Sequence, residues 1–155
     1  VAASEVVERL GIGEANAPTY LDGAEIQLRK KLRAHGRQLG DMLSSGSEKG
    51  GTTNKGEQET RWLIREIAYS HWHRMLFARF LEQNNLLMYD AHTPVTLEEC
   101  AELAEDDGYT DAWELAAELA AKMLPQVFRP DSPVYGVHLA INHIHTLEER
   151  FGLKQ

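Results

Sequence analysis

The stretch from Ile64 to Glu82, IREIAYSHWHRMLFARFLE, constrains the fold of this 155-residue chain more than any other. Four aromatic residues and several aliphatic ones share it with arginines and histidines, and no face is plainly wet. Helical spacing predicts a helix from about Gln58 to Leu87, roughly 45 Å long. At about 100° per residue its large side chains point to many sides. Trp62 and Phe80 share one direction, Leu63 and Leu81 a second, Met75 a third and Leu76 a fourth. A helix apolar on most sides is expected to be surrounded by others. Its arginines then need partners or an exit to water, because an unpaired buried charge is expensive.

Further helices are expected on both sides. From Tyr20 to about Ser45, Leu21, Ile26, Leu28, Leu32, Leu39, Met42 and Leu43 recur at mostly helical intervals, with Asp22 and Glu25 placed to cap the start. Residues 44 to 56, SSGSEKGGTTNKG, hold too little apolar area to offset chain entropy and read as a mobile linker. Asp90 to Pro94 breaks the chain. Thr96-Leu97-Glu98-Glu99 reads as a capping box opening a short acidic helix that ends near Gly108, and Asp111-Ala112-Trp113-Glu114 opens another that stops before Pro125. These two are expected to pack as an antiparallel pair. The loop QVFRPDSPVYG follows, then a last helix from about Leu139 or Ala140 to Phe151. No period of 20 to 50 residues repeats, and strand-like alternation is confined to a doubtful run near Val134 to Leu139. The expected fold is all-α, an irregular bundle of about five helices around a central long helix. Residues 1–56 would supply a helix and the flexible Gly/Ser/Thr linker, and 57–155 the bundle core, together one domain.

Net charge is -8, unevenly spread. Residues 1 to 56 hold eight Lys/Arg against seven Asp/Glu, residues 57 to 89 four against four, and residues 90 to 155 four against thirteen. The whole chain is thus a poor stand-alone DNA binder, and any contact with DNA should come from the N-terminal part. There Arg29, Arg33 and Arg37 fall at i, i+4 and i+8, a stripe about 12 Å long with Lys30 adjacent and Lys31 behind. Such a stripe can follow a phosphate backbone, and it can equally be an ordinary solvated helix face. No run of about 18 apolar residues could span a bilayer. The first residues lack the pattern of a secretory signal, and the lone Cys100 cannot form an internal disulfide, so the expected compartment is the cytoplasm.

The residues do not converge on reaction chemistry. His71 and His73 lie about 200° apart on a helix and cannot chelate one metal together. His138, His143 and His145 crowd the chain end without a recognised ligand spacing. Cys100 sits among Glu98, Glu99 and Glu102, which raise a thiol's pKa, and reads as a small core residue. Glu105-Asp106-Asp107 lacks the calcium-loop pattern and reads as a solvated helix end. Gly11-Ile12-Gly13 and the glycines of residues 50–56 have neither the dinucleotide-loop nor the P-loop order. No catalytic or metal-binding residue is assigned.

One resemblance answers the question of the undecided helix. Ile67 to Leu87, IAYSHWHRMLFARFLEQNNLL, resembles the AYxWxxRLxALRFME signature of the N-terminal helical region of bacterial adenine-specific DNA methyltransferases. Those enzymes serve restriction-modification and phage-defence systems, including the BREX type. Ala68, Tyr69, Trp72, Arg74, Ala78, Arg79, Phe80 and Glu82 carry the match, and the resemblance extends over about residues 60 to 135. It implies an N-terminal helical module that helps clamp duplex DNA and position a catalytic domain absent from this chain. In the family, S-adenosylmethionine is held by a glycine-rich loop, and an Asn/Asp-Pro-Pro-Tyr/Phe motif holds the flipped base. This sequence has neither, so no cofactor and no methyl transfer are expected of it alone. The implied partners are the catalytic domain of the same protein, the backbone of a DNA duplex and restriction or defence-system subunits, with no membrane. Arg29, Lys30, Arg33 and Arg37 would contact phosphates. Arg74 and Arg79, paired with Glu66, Glu82 or an acidic helix, would fix helix register. The alternative from another class is a free-standing helical interaction or dimerisation module.

Overall fold

The computed structural model describes residues 1–46 and 54–139. Every regular element among them is helical: α1 Ala2–Arg9, α2 Gly23–Leu39, α3 Arg61–Gln83, α4 Leu97–Asp106, α5 Ala112–Met123, α6 Pro125–Phe128, and a 3-10 turn at Pro133–Gly136. The fold is all-α. Residues 47–53 of the expected linker and the expected last helix beyond Leu139 lie outside the described residues. The described residues form two compact units, 1–69 with 133–139 and 70–132, and the division falls within α3.

In the first unit α2 opens as its sequence predicts. The Asp22 carboxylate accepts from Glu25 N at 2.8 Å, and the Glu25 carboxylate accepts from Asp22 N at 3.3 Å. The helix stops six residues before the expected Ser45, because Gly40 takes φ +115°, a conformation that favours glycine and ends helices. α1 is additional to the expected elements. Its Ala3 and Val7, with Leu10 just beyond, are spaced for one helix face and join Ile12, Leu21, Leu32, Leu63, Ile67, Val134 and Val137 in the core. The doubtful strand near Val134 is the 3-10 turn that carries Val134 into that core.

The described ends of the linker are tied together. Ser44 N donates to Glu57 O at 2.7 Å, Gly56 N to Ser44 O at 3.0 Å and Glu59 N to Met42 O at 2.9 Å. Gln58, expected to begin the long helix, belongs instead to this antiparallel pairing, opposite Leu43. α3 therefore starts at Arg61, and Asp41 caps it from 21 positions earlier, accepting from Trp62 N at 2.8 Å and from Leu63 N at 3.0 Å. At the other end Asn85 adopts φ +55° while Leu86 N donates to Leu81 O at 2.8 Å, a left-handed closure. The helix is 23 residues, about 35 Å, not about 45 Å.

Enclosure on all sides is also corrected. Leu63 and Ile67 enter the first core, and Ala78 and Leu81 the second. Trp62, Tyr69, Leu76 and Phe80 remain exposed. The sequence pattern missed this because apolar residues outside a core look the same as apolar residues inside one.

In the second unit both acidic helices open at the expected caps. Thr96 and Glu99 form a reciprocal capping box at 2.7 and 3.2 Å. Asp111 accepts from Glu114 N at 2.9 Å, whereas the Glu114 carboxylate reaches Thr110 N at 2.7 Å. α4 and α5 pack on each other, burying Cys100, Ala104, Leu115, Ala116, Leu119 and Ala120. The expected loop after α5 contains α6, whose Phe128 is fully buried.

Gly36 provides a stability test in which two effects oppose. Alanine normally gains about 1 kcal/mol over glycine inside a helix. Here, however, an added Cβ would lie 2.9 Å from Asp41 Oδ2 and 3.0 Å from Gln58 Nε2. Both atoms are pinned, so overpacking wins and Gly36→Ala should lower stability by about 1–2 kcal/mol in urea unfolding. Gly23→Ala, where nothing lies within 4 Å, should change it by less than about 0.5 kcal/mol.

Candidate functional site

The arginine stripe of α2 faces the protein's own backbone. Arg29 is 7% exposed. Its Nε donates to Gly11 O at 3.1 Å and its Nη2 to Glu14 O at 2.7 Å. Arg33 donates through Nη1 to Ile12 O at 2.6 Å and to Glu14 O, and through Nη2 to Gly56 O at 2.8 Å. The remaining carbonyl of this run, Gly13 O, accepts from Gln58 N at 2.9 Å. The Gln58 side chain then accepts from Arg37 Nη1 and donates to Arg33 O, both at 2.9 Å. Four successive carbonyls thus receive donors from α2 and from the segment entering α3.

Electrostatics follows from this packing. Burial pulls the Arg29 guanidinium below its ordinary pKa, with Glu14 opposing. Burial also lowers Arg33, and the charges of Arg29 and Arg37 add to the effect. Arginine's ordinary pKa is so high that both stay charged at neutral pH. The expectation of an open row of positive charge is corrected to this extent: Arg29 and Arg33 spend their donors on backbone carbonyls. Lys30, Lys31 and Arg37 are exposed.

In the second unit, Arg74 Nη2 donates to Glu118 Oε2 of α5 at 3.0 Å, with Ala117 O at 3.4 Å. Arg79 Nη1 meets Glu82 Oε2 at 3.0 Å, one turn along α3, with both side chains largely buried. These pairs tie charges of the long helix to an acidic helix and to its own next turn. Removing one partner would leave the other as an uncompensated charge.

The other candidates lie apart from one another. His73 packs in an aromatic cluster, its ring centroid 5.2 Å from Phe128 and 6.1 Å from Phe77. Among the described residues no group of three His, Cys, Asp or Glu could hold a metal ion. None of their helices is long and apolar enough to cross a membrane. Cys100 is buried, and burial, followed by Glu99 and Glu82, pushes its thiol up to about 11. Asp107 of the acidic run accepts from the Tyr89 hydroxyl at 2.8 Å, which raises the pKa of that hydroxyl. Gly11, at φ +58°, belongs to the turn that presents its carbonyl to Arg29.

Sequence reasoning missed Asp41 as the cap of α3, for which only a lone aspartate after a helix-ending glycine was visible. It also missed a cluster at the start of α3. Arg61 Cζ stands 4.7 Å and Arg65 Cζ 5.3 Å from the ring centroid of Trp62. The spacing Arg-Trp-x-x-Arg on a helix was the available signal.

Replacing Arg29 by Met keeps its bulk and removes its donors, so the Arg29→Met protein should lose about 2–4 kcal/mol in urea unfolding. Stability within 0.5 kcal/mol of the parent, on the order of surface substitutions, would show that the carbonyl contacts are dispensable. Cys100 should resist iodoacetamide at pH 8 in the folded protein and react at once after unfolding, as followed by mass spectrometry. Compared with known proteins, the chain matches no family model, no curated protein and no solved structure.

Proposed function

We propose that this chain is the helical N-terminal module of an S-adenosylmethionine-dependent N6-adenine DNA methyltransferase of a restriction-modification or BREX-like defence system. It helps clamp duplex DNA and positions a catalytic domain that lies outside these 155 residues. The cofactor and the methyl transfer belong to that domain, and the cytoplasm is where such a system works.

The observation that carries this reading is the division of labour among the signature residues on α3. Ala78 is in a core, and Arg74, Arg79 and Glu82 hold charge pairs. Tyr69 and Phe80 of the same signature are 57% and 54% exposed. A pattern joining core positions to large outward aromatics suits a helix that packs on its own units with one part of its surface and on a neighbouring domain with another. Such a helix orients a catalytic domain without touching the reacting atoms.

The same exposed residues, with Leu76, favour a second reading, a helical interaction or dimerisation module independent of methylation. The two separate in one strain. In the host, the gene carrying this chain, or its neighbours, should encode a glycine-rich cofactor loop and an Asn/Asp-Pro-Pro-Tyr/Phe motif. Phe80→Asp should reduce genomic N6-methyladenine at the system's sites at least about tenfold, a loss of roughly 1.4 kcal/mol in productive docking, with helix content unchanged by circular dichroism. Full methylation in that strain, together with a dimer in light scattering that Phe80→Asp dissociates, would replace the methyltransferase reading with the second one.

A further inference from the structure

Charge is divided sharply between the two units. The described residues of the first hold nine Lys/Arg against nine Asp/Glu, and residues 70–132 hold four against twelve. The second unit repels a polyanion. In the first, Arg29 and Arg33 are committed to carbonyls and Arg9 to Glu25 at 2.6 Å. Arg61 and Arg65 differ. Both are exposed, and among the described residues neither guanidinium has a hydrogen bond or carboxylate partner. The carboxylates near them in sequence are engaged elsewhere: Asp41 on the N–H groups of Trp62 and Leu63, Glu59 on Met42 N at 3.2 Å, Glu57 on Asn54. Glu66, the other carboxylate of this turn, is half-buried.

Trp62 holds the two guanidiniums in place. It is 39% exposed, and its ring edge lies near Gly40, where an added Cβ would be 3.5 Å away. The distances of 4.7 and 5.3 Å to one centroid keep the two Cζ atoms within about 10 Å of each other. Both charges thus lie within about one Debye length of each other, so an anion close to both is attracted by the two together. Two planar forks with restricted freedom match a phosphodiester, which accepts bidentate bonds. A ring that already carries guanidiniums is a poor stacking platform for a base, so this arrangement favours the backbone over base reading.

We propose that Arg61 and Arg65, steadied by Trp62, form a phosphate-contact point for duplex DNA on the first unit. This rests on the clamp reading above and moves the contact from the α2 stripe to the start of α3. The test measures fluorescence anisotropy of a labelled mixed-sequence duplex with the 155-residue chain over a salt series. The parent should bind weakly with a steep salt dependence. R61Q/R65Q should weaken binding about tenfold at low salt and make the log-log salt slope shallower by about 2. R61K/R65K, which keeps the charge but loses the forks, should keep the slope and lose a few-fold in affinity. W62L should behave like the lysine pair. If the parent binds but R61Q/R65Q has its affinity and slope, the contact point is wrong while the clamp reading stands. If the parent shows no salt-dependent binding, both fall.

Discussion

The two guanidiniums of α2 that meet the carbonyls of Gly11, Ile12 and Glu14 are the constraint on which the first unit depends. The segment between α1 and α2 has no helix or sheet to absorb its polar backbone, yet Gly11 and Ile12 are buried. A buried carbonyl without a donor costs about 1–3 kcal/mol. Arginines at i and i+4 stand on one face about 6 Å apart, a spacing suited to a run of four peptide units. Lysine would bring a single point charge where a fork serves two carbonyls at once. The cation therefore acts here as a donor array for backbone: Arg29 and Arg33 are turned inward, while Lys30, Lys31 and Arg37 stay exposed.

The same lattice of bonds fixes where α3 begins. Arg33 reaches Gly56, Arg37 reaches Gln58, and Gln58 returns to Arg33 O, so the segment after the linker is aligned on α2 before the long helix starts. Asp41 sits between them and receives the first N–H groups of α3. The close approach at Gly36 is a consequence: a side chain there would occupy the space of the Asp41 carboxylate and the Gln58 amide. Helix start, linker closure and arginine ladder are thus one interaction set rather than three.

What was legible in the sequence was local. Asp22 with Glu25, Thr96 with Glu99, and Asp111 with Glu114 N are contacts within one turn, written in adjacent letters, and the helices open where those letters place them. The all-α class followed from spacing alone. What could not be read was which partner a long side chain takes across the chain. Arg29 and Arg33 fit a phosphate-facing row as well as a carbonyl clamp, since the turn they meet lies 15 to 21 residues away. Gln58 looked like the first turn of a helix because nothing local marks the antiparallel pairing with Leu43. Likewise Asp41, 21 positions from the helix it caps, carried no signal of that role.

Similar demands meet along α3. Its inward residues are divided between two cores, and its charges at Arg74, Arg79 and Glu82 are matched by carboxylate or guanidinium partners. Beside them Trp62, Tyr69, Leu76 and Phe80 stay exposed on its surface, three of them at seven-residue intervals. Exposed aromatic and aliphatic side chains grouped on one helix carry a risk of association. Packing and charge pairing within the chain account for one part of the segment's undecided composition, and the docking on a neighbouring domain proposed above would account for the other.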